Sequence, residues 1–109
     1  MATLFKNKVV KSVGTKPVDI YETVDNQRAT VIGLSLTNLT NSFVYVDILL
    51  QDDTSVTGYY LRQTLLPANT SLRAVATGEK LIIGANNKIM VQSSLDDSID
   101  VIISYVEVA

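Results

Sequence analysis

Ile99-Asp100-Val101-Ile102-Ile103-Ser104-Tyr105-Val106-Glu107-Val108 is the stretch on which the reading of the fold turns. In an extended chain, successive side chains point to opposite faces. One face here carries Ile99, Val101, Ile103 and Tyr105, and the other carries Asp100, Ile102, Ser104, Val106 and Val108. The first face is wholly apolar and the second mostly so, which does not suit an edge strand of a small soluble domain. Either the strand lies in the middle of a sandwich, or another protein chain covers its second face. Both options point away from a small enzyme and towards a packing module.

Working back from this segment, strands alternate with turn chemistry, and no segment shows a 3.6-residue period. Extended runs are expected at Lys8–Val13, Pro17–Thr23, Ala29–Asn38, Phe43–Leu50, Val56–Leu65, Ser71–Ala76, Leu81–Ile83, Lys88–Ser93 and Ser98–Val108. In the second run Val18 and Ile20 fall on one side and Tyr21 on the other. In the third, Ile32, Leu34 and Leu36 face one way, and Gly33 marks a bulge or a close backbone approach. Val44, Val46, Ile48 and Leu50 form an unbroken apolar face. Ala29–Asn38 and Phe43–Leu50, joined by Leu39-Thr40-Asn41-Ser42, are expected to pair as an antiparallel hairpin. The whole reads as an all-β chain: a single antiparallel β-sandwich, jelly-roll-like, of about eight strands with an extended N-terminal arm.

A chain of 109 residues suffices for one domain with a real core. It has no cysteine and no histidine, which removes disulfides, thiolate chemistry, the commonest general base and the commonest metal ligand. Tryptophan is absent too. No run of about 18 apolar residues offers a membrane span, and Met1–Lys8 lacks the apolar core of a signal peptide, so synthesis in a cytoplasm is expected. The sequons Asn38-Leu39-Thr40 and Asn69-Thr70-Ser71 then read as products of a Thr/Asn-rich composition.

The net charge of −2 hides an asymmetry. Lys6, Lys8, Lys11 and Lys16 precede the first acid, Asp19, whereas the remainder holds five basic residues against eleven acidic ones. Residues 1–16 therefore read as a basic arm on an acidic sandwich spanning 17–109. Such an arm can dock on an acidic neighbour, or simply keep an exposed terminus soluble.

No residue pattern supports catalysis. Asp52-Asp53 and Asp96-Asp97-Asp100 lack the alternating oxygen ligands and central glycine of a calcium loop, and adjacent aspartates are commonly solvated turn formers. No serine stands in a nucleophile elbow, and Gly14, Gly33, Gly58, Gly78 and Gly84 are scattered singly rather than gathered in a phosphate loop. Neither a metal nor another cofactor is expected. Tyr59, Tyr60 and Arg62 are the only aromatic–basic grouping, too little for a nucleic-acid face in an acidic body. Surfaces remain. Tyr21, Phe43, Tyr45, Tyr59 or Tyr60 and the second face of the last strand are candidates for contact with neighbouring subunits. Leu4 and Phe5 would anchor the arm on the next copy. The expected assembly interface is Leu4, Phe5, Lys6, Lys8, Lys11, Ile102, Val106 and Val108. An alternative is a carbohydrate- or host-surface-binding module whose ligand face is Tyr59, Tyr60 and Arg62, near Asp52-Asp53.

Several stretches carry a resemblance: Ile20-Tyr21-Glu22-Thr23-Val24, then Val31–Asn38 with its closing asparagine, Leu65-Leu66-Pro67-Ala68-Asn69-Thr70-Ser71-Leu72, Gly78–Asn87, and Asp100–Val108. In this order of features the chain resembles the small β-sandwich virion structural proteins of tailed bacteriophages. The resemblance implies a non-enzymatic protein that assembles in many copies on a particle. It would decorate or cement the capsid, ring the neck, or form part of the tail. The implied partners are itself and other virion proteins such as the major capsid or neck and tail proteins, with no nucleic acid and no membrane, and the implied location is the virion.

Overall fold

The computed structural model describes residues 3–75 and 78–108. Its strands in chain order are β1 (Thr3–Val13), β2 (Val18–Glu22), β3 (Arg28–Asn38), β4 (Val44–Gln51), β5 (Thr57–Leu66), β6 (Ser71–Val75), β7 (Leu81–Ile83), β8 (Lys88–Ser93) and β9 (Ile99–Val108). All ladders are antiparallel. One sheet has the order β1-β9-β3-β6, with β7 also on β3, and the other has the order β2-β8-β4-β5. Most connections cross from one sheet to the other, which makes this a jelly-roll sandwich. Because β7 pairs with Ala29–Val31 and β6 with Leu34–Thr37, the two act as one interrupted strand along a single edge of β3.

β9 lies in the middle of its sheet, between β1 and β3. Ile99, Val101, Ile103, Tyr105 and Glu107 point into the sandwich and are buried, while Ile102 on the opposite face is 47% exposed. The sandwich therefore covers only one side of the most apolar strand. Facing it across the core are Ile20, Val44, Val46, Ile48, Ile89 and Val91, each fully or almost fully buried.

The expected hairpin of Ala29–Asn38 with Phe43–Leu50 does not form. β3 belongs to the first sheet and β4 to the second, so the two strands face each other through the core instead of lying side by side. Alternation identifies which side chains enter the core but is the same for a neighbour in the sheet and a neighbour across it. Asn38 enforces the crossing. Its buried amide nitrogen donates to the carbonyls of Ser42, Leu66 and Pro67 at 2.9, 3.1 and 3.1 Å, and its Oδ1 accepts from Thr40 N and Oγ1, both at 2.8 Å.

Two face assignments are corrected by bulges. A register shift between Val31 and Gly33 turns Ile32 outward, to 43% exposure, while Leu34 and Leu36 stay buried. A shift between Asp19 and Tyr21 lets Ile20 and Tyr21 both enter the core, so Tyr21 is no surface residue. Bulges also blunt both long edge strands. Ser12 of β1 and Gln63 of β5 have φ of 57° and 44°, and each donates its amide to an aspartate of the adjacent strand, Asp100 at 3.1 Å and Asp47 at 2.6 Å. Such irregularities discourage pairing with a further strand.

Candidate assembly surface

The outer face of the first sheet follows from register alone. Phe5 stands opposite Val106, Val106 opposite Thr30, and Thr30 opposite Ile82, a row running across β1, β9, β3 and β7. Further along the strands a second row runs Val9, Ile102, Ser35 and Arg73. Between the rows lie Asn7, Ser104 and Gly33, whose small side chains leave a hollow. Phe5, Ile82 and Val9 are 78%, 61% and 56% exposed. Arg73 lines the hollow with Gly33 and Ser104, while Arg28 beside Val108 and Asp100 at the far end of β9 bring charge to the ends of the face. The exposed apolar residues Phe5, Val9, Ile32, Ile82 and Ile102 are thus interleaved with polar Asn7, Thr30, Ser35 and Ser104 on this face.

The residues singled out from sequence divide between the two sides of β1. Phe5 joins Ile102, Val106 and Val108 on the outer face. Leu4, Lys6 and Lys8 stand opposite Glu107, Tyr105 and Ile103, on the inward side. Lys11 sits within the bulge between Val10 and Val13. The stretch expected as a basic arm is thus, over Thr3–Val13, the outermost strand of the sheet, although every residue from Thr3 to Val9 remains exposed. Val9, Ile32 and Ile82 were not anticipated on this face. A strand begun at Lys8 hides the alternation of Phe5 with Val9, and the bulge reverses Ile32.

Lys6 has a specific partner. Its ammonium donates to Glu107 Oε1 at 3.0 Å, and Tyr21 Oη donates to Glu107 Oε2 at 2.7 Å. The Tyr21 hydrogen bond, followed by that from Lys6, holds the Glu107 carboxyl below its usual range against the opposing effect of desolvation. Burial, then the hydrogen bond and charge of Glu107, keep the Tyr21 phenol protonated far above neutrality. Tyr21 also packs on Tyr105, with ring centroids 4.3 Å apart. This network ties β1, β2 and β9 together at one end of the sandwich.

Tyr59 and Tyr60 both line a hollow of about 310 Å³ with Leu50, Asp52, Val56 and Gly58. Tyr59 is exposed with the Arg62 guanidinium 5.2 Å from its ring centre, whereas Tyr60 packs against the core and directs its hydroxyl to the Ala74 carbonyl at 3.4 Å. The aspartate clusters are occupied by protein donors. Asp52 Oδ1 accepts from Thr54 N, Thr54 Oγ1 and Val56 N, and Asp96 Oδ1 accepts from Thr15 N and Oγ1. These bonds lower both carboxyl pKa values, as expected of turn-forming aspartates.

No family model matches the chain, and no curated protein matches it in sequence. A solved structure does share its fold. A chain of the Bacillus endospore appendages, a novel family of disulfide-linked pili, superposes with a TM-score of 0.58 at 7% identity, over 96% of this chain and 86% of that one. The infectious bursal disease virus Gt strain structure gives a TM-score of 0.48 at 9% identity, over 97% of this chain and 32% of that one. The likeness is one of fold.

Proposed function

We propose that this chain is a non-enzymatic structural protein of a tailed-phage virion, assembling in many copies to decorate or cement the capsid or to build part of the head–neck–tail region. The observation that carries the reading is the set of exposed apolar side chains Phe5, Val9, Ile32, Ile82 and Ile102 on the outer face of the first sheet. Four strands about 4.8 Å apart, each contributing about nine residues at about 3.3 Å per residue, present roughly 600 Å² in projection. That projection covers the whole sheet face, polar residues included, and is large enough to hold a standard interface, which takes roughly 800 Å² of accessible surface from each partner. The resemblance in the order of sequence features and the fold shared with a pilus protein support the same reading. With no cysteine, any such assembly is held without disulfides.

The test is the copy number of this chain in purified particles from its source, measured by quantitative mass spectrometry against the major shell protein. A ratio near one supports decoration or cement, and a single ring's worth supports the neck or tail. Absence from particles contradicts the virion assignment.

A further inference from the structure

β1 is attached to the sandwich along one edge, by its ladder with β9. Every residue from Thr3 to Val9 is exposed, including Leu4, Lys6 and Lys8 on the inward side, so the second sheet leaves this stretch uncovered. Beyond the ladder, it is held by the bond from Lys6 to Glu107. The chain becomes firmly anchored at Val13. That side chain is buried, its carbonyl accepts from Ser98 N at 3.1 Å, and the Gly14 carbonyl accepts from Ser93 N at 2.9 Å. Between the two parts lie Lys11 and Ser12, both exposed and both outside the β1–β9 register. Ser12 has φ of 57°, a left-handed conformation that is unfavourable for a residue with a Cβ.

We infer that residues 3–10 are exchanged between copies, the strand of one copy lying on β9 of the next once the outer sheet faces have brought them together. The inference rests on the multi-copy reading above and names how neighbours are joined. The occupant of the β9 edge is fixed by the structure itself: β1 matches that edge in register from Val108 to Val101, and Lys6 supplies the ammonium for the Glu107 carboxylate. Without a β1, the edge would present a row of unpaired backbone groups and a Glu107 oxygen without its donor. The edge therefore retains a β1, its own or a neighbour's. The contacts are the same in both cases, so the choice turns on the hinge. Straightening Lys11-Ser12 into extended backbone relieves the left-handed residue, at the loss of the bond from Ser12 N to Asp100. Reach is adequate, because the three steps from Val10 to Val13 span about 10 Å when extended, which is the spacing of two stacked sheets. Exchange of an identical element is a low-cost route from separate copies to a joined assembly.

The chain has no cysteine, so a full-length Val10→Cys/Val101→Cys double variant reports the exchange by which chains it links. The two residues are direct partners in the β1–β9 register, at a Cα separation of about 4.5–5.5 Å that suits a disulfide. Val101 is fully buried, so a thiol there meets only a strand lying in the place of β1. The variant is refolded over a wide concentration range, oxidised and run on a non-reducing gel, while sedimentation velocity of the reduced protein reports association. Covalently joined dimers and larger species, increasing with concentration, are expected. Adding Ser12→Gly, which takes up the left-handed conformation without penalty, should lower the joined fraction by roughly fivefold or more. Lys8→Cys/Ile103→Cys, the next registered pair on the same side, serves should the first variant fail to fold. Links confined within single chains, although the reduced protein associates, overturn the exchange and leave the multi-copy reading standing. A protein that is monomeric at every concentration overturns both.

Discussion

Tyr21 and Glu107 meet through the core, the phenol on β2 in one sheet donating to the carboxylate on β9 in the other at 2.7 Å. Glu107 is the one acidic residue among the buried side chains of the described residues, and it lies 86 positions from Tyr21 and 101 from Lys6. Its two oxygens are shared between a neutral and a charged donor. This arrangement attaches the exposed first half of β1 to the sandwich by something other than backbone pairing.

The network gives stability a defined pH dependence. A folded-state pKa depressed below the ordinary value of 4.5 means that the Glu107 contribution is present above that value and lost as pH falls through the folded one. Urea midpoints measured between pH 7 and pH 3 should therefore decline more steeply in the wild type than in Glu107→Gln. Asp52 and Asp96 also have lowered pKa values, so the difference between the two proteins isolates Glu107.

Tyr21→Phe removes the donor and leaves one buried oxygen of Glu107 without its partner. A loss of about 1–3 kcal/mol is expected by chemical denaturation at pH 7. Because the Lys6 bond to the other oxygen survives, β1 should stay on the sheet. Protection of the amides in Val9–Val10 against hydrogen exchange would then be retained.

Asn38→Ala should be among the most damaging single changes outside the apolar core. It deprives the carbonyls of Leu66 and Pro67 and the amide of Thr40 of their side-chain partner in one step. The expected cost is about 2–4 kcal/mol, given roughly 1–3 kcal/mol for each buried group left unpaired and partial rescue by water. A variant with an unchanged denaturation midpoint would show that the β3–β4 crossing does not depend on this side chain.

Two glycines should respond in opposite ways. A Cβ on Gly14 would lie 2.7 Å from Asp96 Oδ1 and 3.1 Å from Asp96 Cα, whereas one on Gly33 would meet nothing nearer than Ser104 Cβ at 3.7 Å. Gly14→Ala should displace the Asp96 turn from Thr15 and cost about 1–3 kcal/mol. Gly33→Ala should fold with unchanged or slightly raised stability. Thermal unfolding of the two variants side by side checks the contrast.

Much of the fold is legible in the sequence because the turns are chemically explicit and the alternation is strong. Ile99, Val101, Ile103 and Tyr105 are inward as the period of two requires, as are Val44, Val46 and Ile48. Gly33 does stand at a bulge. What alternation does not contain is the partner of each strand, and for that reason β3 and β4 were expected side by side. The candidate surface suffered from a related loss. Phe5, Ile102, Val106 and Val108 share a face, yet Leu4, Lys6 and Lys8 are on the other side, because one residue along a strand reverses direction. The bond between Lys6 and Glu107 depends on β1–β9 register, which no local pattern encodes.

The central claim is that the outer face carrying Ile102 is where copies of the chain meet. Sedimentation velocity of the wild type and of Ile102→Lys over a wide concentration range, with unfolding curves of both, tests it most directly. Ile102 is exposed, so its replacement should change stability by no more than about 0.5 kcal/mol. The account predicts that the wild type associates with rising concentration while the variant, equally stable, stays monomeric. A wild type that never associates, or a folded variant that associates as the wild type does, would contradict it.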